Sequence, residues 1–182
     1  MSSLPDERLI KPVAHIRTGF AEKFGIPRQS MLVPGAEGQI IFEAEYRNPD
    51  AIKGLEENSH IWLVWGFSEA FREREALTVH PPRLGGKVKK GVFATRAPYR
   101  PNSLGLSCVK LVGISIDEKH GPVITVSGVD MLDGTPIYDI KPYMPYTDSF
   151  PEATANFGQN HSKDRIKVDF PDVLPLKNFL YH

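Results

Sequence analysis

Apolar and polar positions alternate in short runs along most of this chain, and the period is two rather than 3.6, so the pattern predicts strands. Residues 13–18, VAHIRT, form the first run. The next stretch, GFAEKFGIPRQSMLVPG, is loop-like, because Gly19, Gly25, Pro27, Pro34 and Gly35 interrupt any helix. Residues 38–46 predict a half-buried strand, with Ile40, Phe42, Ala44 and Tyr46 on one face and Ile41, Glu43 and Glu45 on the other. Asn48 offers a cap and Pro49 a first turn for a short helix over residues 50–57. HIWLVWGF, at residues 60–67, is a nearly continuous apolar run of strand length. Period two puts Trp62 and Trp65 on opposite faces, one for the core and the other for a groove or an interface.

Residues 68–76 are charged and of helical character, Leu84, Gly85 and Gly86 make a turn, and residues 88–95 return as a strand. Two β-rich runs, 107–117 and 122–130, are joined by Glu118, Lys119, His120 and Gly121, the strongest hairpin signal in the chain. Met131, Leu132, Asp133, Gly134 and Thr135 then turn the chain into a further β run at 136–143. About seven strands or more, short connections and little helix predict a mainly β fold, a compact antiparallel barrel with a few short helices. It is expected to occupy residues 1–150. Residues 151–182 read as a C-terminal extension, in which apolar density falls apart from 166–180.

Composition narrows the class. An apolar content of 41% over 182 residues suffices for a core. The single Cys108 excludes an internal disulfide and a multi-cysteine zinc site, and its place in an alternating apolar run reads as a small core residue. The six histidines show no paired spacing, so no metal is expected. No run is long enough to span a bilayer and the polar start lacks a secretory core, which predicts a cytoplasmic protein without a membrane partner.

Charge changes the picture more. The 22 basic and 22 acidic residues cancel, yet between residues 76 and 116 there is no Asp or Glu. Arg83, Lys87, Lys89, Lys90, Arg96, Arg100 and Lys110 give that stretch +7 and leave −7 for the rest. Such asymmetry points to a polyanionic partner, phosphate foremost, although the same residues could form no more than a solvated basic face. Within the block, Arg96 and Arg100 flank Ala97, Pro98 and Tyr99, and Pro101 and Asn102 follow. Two prolines stiffen the loop, so guanidinium forks and a ring are presented with little entropy left to lose on binding. Arginine in that setting suits phosphate or carboxylate, and it stacks on bases.

The common signatures of dinucleotide, P-loop, hydrolase and zinc-deaminase folds are absent. Asp130, Asp133, Gly134 and Thr135 are similar to the DxDGT of aspartyl-phosphate enzymes, but their carboxylates are three positions apart rather than two, and LDGT reads as a hairpin turn.

Three stretches, PRLGGKVKKGVFATRAPYRPNSLGL, GIPRQ and DMLDGTPIYDIKPYMPYTDS, resemble the TrmO (TsaA-like) family of tRNA methyltransferases, over about three quarters of the chain. Ser103 stands where the family pattern RPNPxG has Pro, which predicts a slightly looser loop, and some members carry a further C-terminal domain. The resemblance implies an S-adenosylmethionine-dependent homodimer that methylates N6 of threonylcarbamoyladenosine beside the anticodon of threonine tRNA. By matched positions, the methyl donor would be held by Pro27, Arg28 and Gln29, by Ser68 and Glu69, by Arg96 and Leu106, and by Asp130, Met131, Leu132 and Asp133. Loss of the N6 proton calls for an acceptor, for which Asp133, Asp139 and Tyr143 are candidates. Substrate and tRNA contacts would fall to Arg83, Lys87, Lys89, Lys90, Tyr99, Arg100, Asn102 and Lys141. Two alternatives stand beside this reading. One is a non-catalytic RNA-binding barrel that stacks bases on Tyr99, Tyr143 or Trp65, and the weaker one is a magnesium-dependent phosphohydrolase built on Asp133.

Overall fold

Alternation along the chain becomes a barrel because each of the barrel's strands buries one face and closure leaves none of them a free edge. The computed structural model describes residues 9–69, 77–81 and 87–155. The chain divides into two units, Met1–Pro151 and Glu152–His182. Arg83, the turn at 84–86, most of the helical stretch at 68–76 and the apolar run at 166–180 lie outside the described residues.

Eight strands are described: β1 (Ala14–Thr18), β2 (Glu37–Phe42), β3 (His60–Gly66), β4 (Thr78–Val79), β5 (Lys90–Gly91), β6 (Leu104–Asp117), β7 (Gly121–Ser127) and β8 (Pro136–Pro142). Six close into an antiparallel barrel in the order β1-β2-β7-β6-β3-β8, and β4 and β5 form a separate pair. The closing pair is short, with Ala14 opposite Ile137 and His15 opposite Pro136. Inward positions follow the period of two: Ala14 and Ile16, Ile40 and Phe42, Ile61, Leu63 and Trp65, Val109 and Leu111, Ile124 and Val126, and Ile137 are buried. The predicted hairpin is formed by β6 and β7, with Asp117 opposite Gly121. Asp117 accepts from the amides of His120 (2.7 Å) and Lys119 (2.9 Å). These two bonds hold its carboxyl below the ordinary value.

Several local expectations are corrected. The strand at 38–46 stops at Phe42, and Ala44–Tyr46 is a 3-10 turn. The helix over 50–57 is two 3-10 turns, Pro49–Ile52 and Leu55–Glu57, split by Gly54 at φ +84°. Its cap is as predicted, since Asn48 Oδ1 accepts from the Asp50 amide at 3.0 Å. The strand at 88–95 shrinks to Lys90–Gly91 and runs into a 3-10 turn, Val92–Ala94. Cys108 is half-buried opposite Trp62, outside the core, because the inward set of β6 is Gly105, Ser107, Val109 and Leu111.

Candidate active site

Four segments meet at one mouth of the barrel. The first is the end of β3. Trp65 faces the core, 6% exposed, while Trp62 is half-buried on the outer face. The indole of Trp65 needs the space beside it, because a Cβ on Gly105, its partner across β3 and β6, would lie 2.3 Å from the ring. Trp62 is fixed from the other side, donating to Asp148 Oδ2 at 2.8 Å, and the ring of Tyr143 lies 5.8 Å from it. The same carboxylate oxygen accepts from the Met144 amide at 3.0 Å. That amide and the Trp62 indole hold the Asp148 carboxyl below its ordinary value.

The second segment is the loop after β1. Met31 adopts a left-handed φ of 63°, and its amide donates to the carbonyl of Gly128 at 2.8 Å. Gly128 has φ +82°, and a Cβ there would meet Met31 Sδ at 2.3 Å, so glycine is required on two counts. This anchor, together with the bond from Ser127 Oγ to the Pro34 carbonyl, carries residues 26–29 over the barrel mouth.

The third segment is the proline-braced loop. Arg100 Nη1 donates to the carbonyl of Thr95 at 2.8 Å, and the Arg100 amide donates to the Pro98 carbonyl at 2.9 Å. Its guanidinium thus ties the loop to itself, a task that the sequence did not reveal. Ser103 takes φ 46°, a conformation closed to proline, whose ring holds φ near about −65°. Its amide donates to the Arg100 carbonyl at 3.0 Å, and its own carbonyl accepts from Phe67 at 2.9 Å. Serine therefore closes the loop rather than loosening it, contrary to the expectation from the family pattern. Arg96 Nη1 donates to Gln29 Oε1, which joins this loop to residues 26–29.

The fourth segment is the turn after β7. Asp130 Oδ1 accepts from Ser107 Oγ at 2.6 Å, and Ser107 Oγ accepts from Trp65 Nε1 at 2.9 Å. Burial pushes the Asp130 carboxyl above its ordinary value, against the Ser107 hydroxyl, the amides of Ser30 and Asp130, and the Arg96 charge. LDGT is a turn, with Thr135 Oγ1 donating to the Leu132 carbonyl at 2.7 Å and Gly134 at φ +75°, but not the expected hairpin, because β7 pairs with β2 and β6 while β8 pairs with β1 and β3.

These segments line a cavity of about 490 Å³, within the roughly 300–1,000 Å³ usual for small-molecule sites. Of the residues predicted to hold a methyl donor, Pro27, Arg28, Gln29, Ser68, Glu69, Arg96, Leu106, Asp130 and Leu132 border it. Met131 is instead buried at 1% exposure behind the turn. Asp133 points elsewhere: it accepts from the Thr18 amide at 2.9 Å and borders a separate groove with His15, Arg17, Glu43, Arg47 and His120. Tyr99 and Arg100 border the main cavity, whereas Lys87, Lys89, Lys90, Asn102 and Lys141 do not. Lys141 Nζ lies 3.4 Å from Asp139, and both are exposed on β8 away from the cavity. Tyr143 is half-buried against Trp62 and His60 and is also outside the lining. Sequence reasoning missed Phe67, Thr135 and Ser107. Ser107 had a signal, a hydroxyl at an inward position of an apolar strand.

A methyl-donor nucleoside asks for a flat apolar bed, a cation for its carboxylate and acceptors for its ammonium and hydroxyl groups. The lining fits: Trp62, Phe67, Tyr99 and Leu106 supply rings and apolar surface, Arg28 and Arg96 supply cations, and Glu69 and Asp130 supply carboxylates. Among the described residues, no three His, Cys, Asp or Glu side chains converge to hold a metal. No described helix is long and apolar enough to cross a membrane.

The class is that of a closed six-stranded antiparallel barrel with a cavity of mixed charge and aromatic surface. The chain belongs to the tRNA-methyltransferase O N-terminal domain family, whose model matches residues 15–149. It is 50% identical over 145 residues to a Pseudomonas aeruginosa protein named as a candidate S-adenosylmethionine-dependent methyltransferase, RcsF, covering 79% of this chain and 58% of that protein. It is 41% identical over 155 residues to the Escherichia coli tRNA (adenine(37)-N6)-methyltransferase, covering 85% of this chain and 66% of that one. A crystal structure of TrmO from Pseudomonas aeruginosa superposes with a TM-score of 0.66 at 39% identity, over 82% of this chain and 62% of that one. The chain thus spans about three fifths of the length of these two bacterial relatives.

Proposed function

We propose that this chain is an S-adenosylmethionine-dependent methyltransferase acting on N6 of an adenine in tRNA. The observation that carries the reading is that the segments 26–29, 62–69, 95–106 and 130–135 each contribute lining residues to one cavity, three of them lying wholly or partly within stretches singled out by family resemblance. At a finer level, the substrate is threonylcarbamoyladenosine in a threonine tRNA, in the cytoplasm, and residues 1–150 are the domain that acts. The relatives support the coarser reaction through their names.

S-adenosylmethionine supplies an electrophilic methyl group on a positively charged sulfur. The chain supplies binding and alignment. Arg28 and Arg96 would meet the donor's carboxylate, Glu69 would meet its ammonium and hydroxyl groups, and Phe67 and Tyr99 would flank its base. Displacement at carbon demands alignment of nitrogen, carbon and sulfur, and positioning of this kind supplies roughly 7–11 kcal/mol of a barrier. The lining carries Lys23, Arg28, Arg96 and Arg100 against Glu69 and Asp130, which favours an anionic substrate above the donor. Lys87, Lys89, Lys90 and Asn102 extend that surface toward the tRNA backbone. Leu106, which borders the cavity, is 60% exposed, an apolar side chain suited to contact with a second copy.

Calorimetry with S-adenosylmethionine tests the reading. Micromolar binding that weakens at least tenfold in Arg96→Ala is the expected result. Binding of tRNA without any binding of S-adenosylmethionine would favour the RNA-binding module instead.

A further inference from the structure

The three acceptors proposed for the N6 proton all lie outside the cavity lining, and the carboxylates that border it are Glu69 and Asp130. Glu69 is exposed. Asp130 is half-buried and held by a relay whose direction is fixed by chemistry. Indole Nε1 can only donate, so Ser107 Oγ accepts from Trp65 at 2.9 Å. The single hydroxyl hydrogen of Ser107 is thereby free to go to Asp130 Oδ1 at 2.6 Å. Ser107 is 1% exposed, so no solvent competes for that hydrogen. The Trp65 ring occupies the space that a side chain on Gly105 would need, since a Cβ there would lie 2.3 Å from it. The Ser107 hydroxyl takes one of the roughly four acceptor positions of the carboxylate.

We propose that Asp130 takes the proton released by the attacking nitrogen, and that Ser107 and Trp65 are its positioning residues. The proposal rests on the methyl-transfer reading. The nitrogen lone pair forms the new bond to the methyl carbon, the carbon–sulfur bond breaks with its electron pair going to sulfur, and the N–H pair stays on nitrogen as the proton passes to the carboxylate. A cationic sulfur becomes neutral and an anionic carboxylate becomes neutral, so charge balances. The charged groups around Asp130 are Arg96, whose charge favours the ionised form, and Lys23, Arg28, Glu69 and Arg100 on the same lining.

Two readouts test this. In Trp62→Phe protein without ligand, Trp65 emission reports the relay. A titration step that vanishes in the added Asp130→Asn change and moves to higher pH with Ser107→Ala is expected, because removing a donor to the carboxylate raises its pKa. In single turnovers at saturating S-adenosylmethionine, Asp130→Asn lowers the rate at least ~100-fold, Asp130→Glu recovers part of it, and Ser107→Ala moves the acidic limb of the pH–rate profile upward. A saturating rate for Asp130→Asn within threefold of the wild type, or an acidic limb unmoved by Ser107→Ala, overturns the proposal and leaves methyl transfer standing. A wild-type chain that transfers no methyl group overturns both.

Discussion

Asp130 carries a stability signature that is independent of turnover. Its folded-state pKa is raised, chiefly by burial, so its stabilising contribution is present below the unfolded value and lost as pH rises through the folded one. Asparagine has no such loss. The difference in Tm between Asp130→Asn and wild type should therefore grow more positive from about pH 3.5 to about pH 8. A constant difference across that range would mean that the carboxyl is not raised. Residue-level chemistry was only half legible in the sequence. Asp130 and Asp133 bracket one turn, and nothing in their spacing says that the first joins the Ser107 relay while the second accepts from Thr18. Arg100 looked like a ligand for an anion, but its partners on Val92 and Thr95 are backbone carbonyls brought near by a turn. Such a turn is invisible to a reading by residue type.

At the scale of elements, period two and the turn residues identified β1, β2, β3, the β6–β7 hairpin and β8, because each buries one face against the same core. The misread pieces lie where local pattern meets a backbone constraint from elsewhere. Gly54 at φ +84° breaks a helix that its neighbours would have formed. The strand expected at 88–95 ends early where the Thr95 amide donates to the Val92 carbonyl at 3.1 Å and closes a 3-10 turn. The loop before β6 offers the sharper test. Ser103→Pro cannot hold φ 46° and removes the donor to the Arg100 carbonyl, which costs at least about 1 kcal/mol. Thermal unfolding should fall by roughly 3 °C or more. S-adenosylmethionine affinity should fall with it, because Phe67 and Arg96 border the cavity from either side of that loop. An unchanged Tm would show that the left-handed turn at Ser103 does not hold the loop.

Over the whole molecule, the acid-free stretch turns a neutral chain into one with a polar charge distribution, and the described part of it runs through β5 and the Arg96–Arg100 loop to the cavity. If about five of its cations each neutralise a phosphate, log affinity for tRNA should fall with log salt with a slope near about −4. A flat dependence would remove the phosphate contacts from the account. The central claim joins this surface to the cavity, and one measurement addresses it directly. Incubate the full chain with methyl-labelled S-adenosylmethionine and threonine tRNA, with and without its threonylcarbamoyl group, then digest to nucleosides and locate the label by mass. Label on N6 of the threonylcarbamoyladenosine beside the anticodon, absent from the unmodified tRNA and lost with Arg96→Ala, is the predicted result. Label on another base or at another adenine position, or no label at all from a chain that binds the donor, would contradict it.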